Sequence, residues 1–164
     1  MENSTRKPTV LIVDDSPESI DVLRSLLQLD YHVQPAIHGE LALRLAQRFA
    51  PDIILLDVMM PDMDGYEVCR RLKSDNATAN IPVIFVTTLS ESAQEASGLS
   101  LGAVDYITKP YVPTLVRARI ATHLALHDQN RVLEEKVRLR TAELAESRIE
   151  IIRRLAQAGE YRDN

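Results

Sequence analysis

Short, nearly uninterrupted apolar runs are the feature that most constrains the fold of this chain. Three of them read TVLIVDD (9–15), DIILLD (52–57) and IPVIFVT (81–87). Such runs are typical of strands in a parallel sheet that helices cover on both faces. A fourth run is AVDYITK (103–109), and a weaker fifth, YHVQPAI (31–37), contains Pro35. Because proline cannot donate a hydrogen bond to a neighbouring strand, we expect the fifth run at an edge of the sheet.

Segments with helical periodicity separate these runs. SPESIDVLRSLLQLD (16–30) begins with Ser16 as an N-cap and Pro17 at the first helical position. The other three segments are GELALRLAQRF (39–49), DGYEVCRRLKS (64–74) and SESAQEASGLSLG (90–102). Strands that alternate with helices through right-handed crossovers predict an α/β fold around a five-stranded parallel sheet.

Composition excludes several classes of function. No apolar run approaches the roughly 18 residues that a membrane span needs, so we expect no membrane partner. The net charge of −5 argues against nucleic-acid binding through a basic surface. A single cysteine, Cys69, and an N-terminal segment without an apolar stretch favour a cytoplasmic location.

Polar side chains gather where the predicted strands end. Asp14 and Asp15 end the first run along the chain, Asp57 ends the third, Thr87 follows VIFV in the fourth, and Lys109 closes the last. In open α/β sheets, ligands bind outside the carboxyl ends of the strands. Three close carboxylates repel one another unless a cation is present, and their oxygens suit Mg²⁺. The sequence therefore predicts a magnesium site at this rim.

This arrangement also suits phosphoryl transfer. Asp57 can act as a nucleophile and form an acyl phosphate, while Lys109 and Thr87 supply a positive charge and a hydroxyl for the phosphoryl group. Taken singly, each signal is weak, and the Asp-Asp-Ser stretch is about as well explained as a helix cap. The coincidence of four strand ends favours the functional interpretation.

The motifs VLIVDDSP, DIILLDVMMPDMDGYEV, IPVIFVTT and GAVDYITKP resemble those of two-component response regulator receiver domains over roughly residues 8–125. The resemblance implies a flavodoxin-like fold with strand order 2-1-3-4-5 and phosphorylation by a histidine kinase. It also assigns roles to individual residues. Asp57 would be the phosphoacceptor, and Lys109 the phosphate-binding amine. The Mg²⁺ ligands would be Asp14, Asp15, Asp57 and the Met59 backbone carbonyl. The switch residues would be Thr87 and Tyr106. Thr88 departs from the pattern, because a smaller residue is usual there.

From Thr114 to Ala158 the chain contains neither proline nor glycine. We expect the last receiver helix to run on for about 45 residues, which is about 65 Å at 1.5 Å per residue. An apolar row recurs at heptad spacing and predicts a coiled coil. Its core positions are Leu126, Asn130, Leu133, Val137, Leu144 and Ile151. The row is interrupted at Arg140 and shifts to a neighbouring stripe, which indicates a stutter.

Asn130 at a core position favours a parallel homodimer. A solitary solvated helix is the alternative interpretation of this segment. The end of the segment, RTAELAESRIEIIRRLAQAGEYRDN, resembles the lead-in to HD-GYP cyclic di-GMP phosphodiesterase domains. Together the two resemblances predict residues 1–8 as a tail, 9–125 as the receiver, 126–160 as the signalling helix and 161–164 as the start of an output domain absent from this chain.

The predicted function is thus a signalling receiver, not an enzyme, that accepts a phosphoryl group and transmits its state through a dimeric helix. Two alternatives stay open. The first is a stand-alone receiver that acts by binding a partner. The second is an acid-cluster phosphohydrolase, although such enzymes carry their nucleophile on the first strand, whereas Asp57 lies on the third.

Overall fold

A computed structural model describes residues 6–88 and 95–162. Five parallel strands form one sheet in the order β2-β1-β3-β4-β5, as the sequence predicted. The strands are β1 (Thr9–Val13), β2 (His32–Ala36), β3 (Ile53–Asp57), β4 (Val83–Thr88) and β5 (Asp105–Lys109). The helices are α1 (Pro17–Leu27), α2 (Gly39–Phe49), α3 (Gly65–Ser74), α4 (Glu95–Ser100) and α5 (Pro113–Glu160).

Side chains of the central strands alternate between two apolar cores. Ile54 and Leu56 of β3 face one core, together with residues of α2 and α3. Ile53 and Leu55 face the other core, together with residues of α1 and α5. Because both faces are covered, the strands consist of apolar residues with little alternation. The continuous runs in the sequence are thereby explained.

The start of α1 follows the predicted capping chemistry. Ser16 is the N-cap of α1, its hydroxyl accepts a hydrogen bond from the Ser19 N–H at 3.4 Å, and Pro17 opens the helix. Asp64 caps α3 in the same way by accepting a bond from the Glu67 N–H at 2.9 Å. These caps fix the chain where it turns from a strand end into the next helix.

The edge position of β2 is confirmed, since among the described strands it pairs with β1 alone and carries Pro35 opposite Ile12. The predicted strand boundaries were one or two residues too long. Of the helix predicted over 90–102, the structure describes α4 from Glu95 to Ser100, and positions 89–94 lie outside the described residues.

The chain divides by its internal contacts between Leu124 and Ala125. Helix α5 is continuous over 48 residues. Residues 128–162 are all exposed, and the helix carries ion pairs one turn apart, such as Glu135 with Arg138 at 2.6 Å. None of the described helices is both long and apolar enough to cross a membrane.

Candidate functional site

Three carboxylates meet at the carboxyl end of the sheet. Asp14 and Asp15 follow β1, and Asp57 is the last residue of the adjacent strand β3. Each offers one oxygen atom, and these oxygens lie within 4.8 Å of one another. Asp14 is 1% exposed and Asp57 is 5% exposed, whereas Asp15 is open to solvent. The predicted cluster is therefore assembled by the fold.

Lys109 brings the positive charge into this cluster from the end of β5. Its Nζ atom lies 3.1 Å from Asp14 Oδ2 and 3.5 Å from Asp57 Oδ2. Burial alone would lower the pKa of Lys109, but the bond to Asp14 and the charges of both carboxylates raise it above its ordinary value. The ammonium group therefore stays charged and offsets part of the negative charge.

The surroundings of Asp57 disfavour its charged form. Burial and the neighbouring charge of Asp14 raise its pKa from the ordinary 3.8 to about 6. Lys109 and the Met59 N–H, which donates to Asp57 Oδ1 at 3.3 Å, lower that pKa without cancelling the rise. A further cation nearby would stabilise the ionised form of this carboxylate. The donor set of three carboxylate oxygens fits Mg²⁺.

The loop after β3 is closely fitted to Asp57. Gly65 donates its N–H to the Val58 carbonyl at 2.9 Å. A Cβ atom at Gly65 would overlap the backbone carbonyl of Asp57 and lie 2.9 Å from Val58 Cα. Sequence reasoning missed this role, although the Asp-Gly pair in MDGYEV was the available signal. Met59 itself is exposed, and its carbonyl as a metal ligand stays a prediction.

The predicted switch residues lie on neighbouring strands. Thr87 is buried near the end of β4, with its hydroxyl donating to the Thr88 carbonyl at 3.3 Å. Tyr106 of β5 is also buried, and its ring centroid lies 5.6 Å from that of Phe85. Phe85 in turn meets the Tyr66 ring edge-on, at 5.1 Å between centroids. Tyr106 is thus in an inward position in this structure.

Tyr111, which follows Lys109 by two residues, was not singled out from the sequence. It packs against the core between α1, α5 and the sheet. Burial, followed by the charges of Asp14 and Asp57, raises its pKa above the ordinary value. Its hydroxyl therefore stays neutral beside the carboxylates. The signal was weak, because an aromatic residue after Lys-Pro is equally consistent with packing.

The structure does not bring the coil residues into any site. All six lie on α5 and are exposed. They are Leu126, Asn130, Leu133, Val137, Leu144 and Ile151. Their pairing with a second copy stays a prediction.

Comparison with known proteins agrees with this geometry. Residues 10–121 match the response regulator receiver domain. A response regulator from Chloroflexus aurantiacus superposes with a TM-score of 0.71 at 32% identity, over 73% of this chain and 99% of that one. The chemotaxis protein CheY4 of Vibrio cholerae superposes with a TM-score of 0.68 at 29% identity, over 71% of this chain and 98% of that one.

Two longer relatives extend the comparison. A Vibrio cholerae protein named "Probable cyclic di-GMP phosphodiesterase" is 40% identical over an alignment 162 residues long, which covers 94% of this chain and 37% of that protein. The response regulator PleD of Caulobacter vibrioides is 45% identical over 112 residues, 68% of this chain and 25% of PleD. The chain thus spans about a quarter to two fifths of these relatives.

The chain belongs to the receiver domain family of two-component response regulators. The receiver fold defines a signalling module rather than an enzyme. The resemblance to a cyclic di-GMP regulator, first indicated by the C-terminal segment, is confirmed by the Vibrio cholerae relative.

Proposed function

We propose that this chain is a phosphorylation-dependent receiver in which Asp57 accepts a phosphoryl group from the phosphohistidine of a histidine kinase. One observation carries the proposal: an oxygen of the buried Asp57 carboxylate lies within 4.8 Å of oxygens of Asp14 and Asp15, and the Lys109 ammonium lies 3.5 Å from Asp57. A site with three carboxylates, one of them the nucleophile, and one amine suits the transfer of an anionic phosphoryl group.

The proposed reaction balances without further reactants. A carboxylate oxygen of Asp57 forms a bond to phosphorus, and the phosphorus–nitrogen bond of phosphohistidine breaks. Its electron pair returns to the imidazole nitrogen, and Asp57 becomes an acyl phosphate. Asp14, Asp15, Asp57 and the Met59 carbonyl would hold Mg²⁺, which supplies charge neutralisation for the phosphoryl oxygens when bound. Lys109 pairs with the phosphoryl group from the β5 side.

Labelling tests the central assignment. We expect acetyl phosphate with Mg²⁺ to add one phosphoryl group, detected by intact mass, and Asp57→Asn to abolish it. Asp62→Asn is the matched control, because Asp62 lies in the same loop at a φ of 67°, a conformation that asparagine tolerates. Equal labelling of Asp57→Asn would contradict the proposal. Turnover of phosphomonoesters without a labelled protein would favour the phosphohydrolase alternative.

We further propose that the phosphorylated state fixes Thr87 and Tyr106 in inward positions and is passed on through α5. The exposed apolar row supports a parallel homodimer, because a solvated row of this length gains free energy from burial against a second copy. Leu133→Asn should weaken the dimer at least tenfold in sedimentation equilibrium. Leu139→Asn, at an exposed apolar position outside the row, should not. A monomer mass that does not change with concentration would contradict dimerisation.

The output proposed for this signal is a cyclic di-GMP phosphodiesterase of the HD-GYP class. Support comes from the Vibrio cholerae relative, whose similarity to this chain covers 94% of it and so includes most of α5. A chimera of this chain with the remaining part of that relative should hydrolyse cyclic di-GMP at a rate that depends on beryllofluoride. A rate that does not respond would argue for the stand-alone receiver.

We propose that the protein acts in the cytoplasm. The free, buried Cys69 fits a reducing compartment.

A further inference from the structure

An ion-pair cluster outside the acidic rim joins the start of β5 to the first part of α5. Asp105 is the first residue of β5, and its two carboxylate oxygens have different partners on the helix. Oδ1 accepts from Arg119 Nη1 at 2.6 Å, and Oδ2 lies 2.9 Å from His123 Nε2. Arg119 and His123 are four residues apart, so both project from one face of the helix.

Arg119 has a second partner, which links the cluster to the backbone of Tyr106. The same Nη1 atom donates to the backbone carbonyl of Tyr106 at 2.5 Å. The guanidinium therefore contacts the main chain of the residue whose side chain is the candidate switch. The Tyr106 ring lies buried against Phe85 on the other side of that backbone. A displacement of Tyr106 would move an atom to which α5 is directly bonded.

The geometry differs from that of an ordinary surface ion pair. The side chains are partly buried, at 29% exposure for Asp105, 41% for Arg119 and 16% for His123. Burial would raise the pKa of Asp105, but its bonds to His123 and the Tyr106 N–H, with the Arg119 charge, hold that pKa below its ordinary value. Isolated exposed pairs contribute little to stability, whereas shared, partly desolvated contacts restrict geometry.

We propose that Asp105, Arg119 and His123 are positioning residues that couple the backbone of Tyr106 to helix α5. This inference rests on the proposed function, because it concerns how the state of Asp57 reaches the helix. The cluster holds α5 in register with β5 in the present state. When the backbone of Tyr106 moves, its bonds to Arg119 and Asp105 displace the helix with it. Without these two side chains, phosphorylation at the rim would no longer change α5.

Hydrogen exchange of the full chain tests the coupling. Beryllofluoride with Mg²⁺ mimics the acyl phosphate, and exchange is compared with and without it in two peptides, one covering β4 and one covering residues 113–124. We expect both peptides to respond in the unmodified protein. In Asp105→Asn and Arg119→Met, the β4 response should persist, while the response of the α5 peptide should fall at least fivefold.

A matched control separates coupling from simple anchoring of the helix. Arg117 also ties α5 to the domain, since its Nε donates to the Leu26 carbonyl of α1 at 3.1 Å, but it contacts neither Asp105 nor Tyr106 through that bond. Arg117→Met should therefore retain both responses. A purely structural role for the cluster would raise α5 exchange equally in both states and leave the difference between them intact.

The outcomes are distinct. An α5 response that is unchanged in both Asp105→Asn and Arg119→Met overturns the coupling. So does an unmodified protein in which β4 responds and α5 does not. A β4 peptide that fails to respond in the unmodified protein refutes the proposed function, and the inference with it. If either variant fails to fold, His123→Ala takes its place, because it removes the contact between His123 and Asp105 Oδ2. The exchange response of the α5 peptide to beryllofluoride should then fall at least twofold. An unchanged response overturns the proposal.

Discussion

Replacing Asp57 with asparagine should stabilise the metal-free protein at neutral pH. The buried carboxylate has a pKa raised from 3.8 to about 6 by burial and by Asp14. A tenfold change in proton affinity is worth about 1.4 kcal/mol, so the folded state carries a penalty of about 3 kcal/mol when Asp57 is ionised. Asparagine keeps the shape of the side chain and removes the charge. We expect a gain of about 1–3 kcal/mol in the free energy of unfolding.

The pH dependence of this effect has a definite sign. Because the folded pKa of Asp57 lies above its unfolded value, the folded protein binds the extra proton between about pH 4 and pH 6. The contribution of the protonated group to stability is complete below pH 4 and is lost as the pH rises through 6. The difference between the unmodified protein and Asp57→Asn should therefore be largest above pH 7 and small near pH 4.

Urea denaturation followed by circular dichroism measures both quantities. It should be run at one fixed protein concentration in EDTA at pH 7.5 and pH 4.5. Adding Mg²⁺ should then stabilise the unmodified protein, by about 2.7 kcal/mol at one hundred times the dissociation constant. Asp57→Asn lacks one ligand and should gain less. If Asp57→Asn were equally or less stable than the unmodified protein at pH 7.5 in EDTA, the electrostatic reasoning about this rim would be wrong.

Three further substitutions test other contacts. Gly98→Ala places a Cβ 2.9 Å from Phe85 Cε2 and against the Tyr106 hydroxyl, so we expect the Tyr106 side chain to move outward. Fluorine NMR of fluorotyrosine-labelled protein would detect this movement as a changed chemical shift. An unchanged Tyr106 resonance would contradict the prediction. Gly65→Ala should displace the Asp57 carbonyl and slow labelling by acetyl phosphate at least tenfold, and an unaltered rate would show that the loop has room. Lys73→Met removes bonds from Nζ to two carbonyls, at 3.0 and 2.7 Å, and should cost about 1–3 kcal/mol in urea denaturation; a stability unchanged within error would refute that contribution.

The sheet and its rim were accessible from sequence because both depend on short-range patterns. A continuous apolar run must be covered on two faces, and its end must lie at the rim where the other parallel strands end. Asp14, Asp57 and Lys109 were therefore placed together without knowledge of any distance. Pro35 likewise fixed the edge strand, since its missing N–H is a property of the residue itself.

The contacts that sequence reasoning missed arise where separate segments approach each other. Asp105 and Arg119 are 14 positions apart, and no local pattern relates a strand start to the second turn of a following helix. Gly65 is distinguished by the closeness of the Asp57 carbonyl, which depends on how the loop folds back. Tyr111 looks like an ordinary core aromatic until the nearby carboxylates are in place.

Both edge strands of the sheet have a backbone group that is unavailable for pairing with another chain, which matters for aggregation at high protein concentration. A bare outer strand is a template on which another chain can add itself, and this is a common route to aggregation. On one border, Pro35 removes an N–H group from β2. On the other, Arg119 occupies a carbonyl of β5. The same guanidinium that we propose as a signalling contact therefore also protects the sheet, and Arg119→Met should aggregate more readily than Arg117→Met.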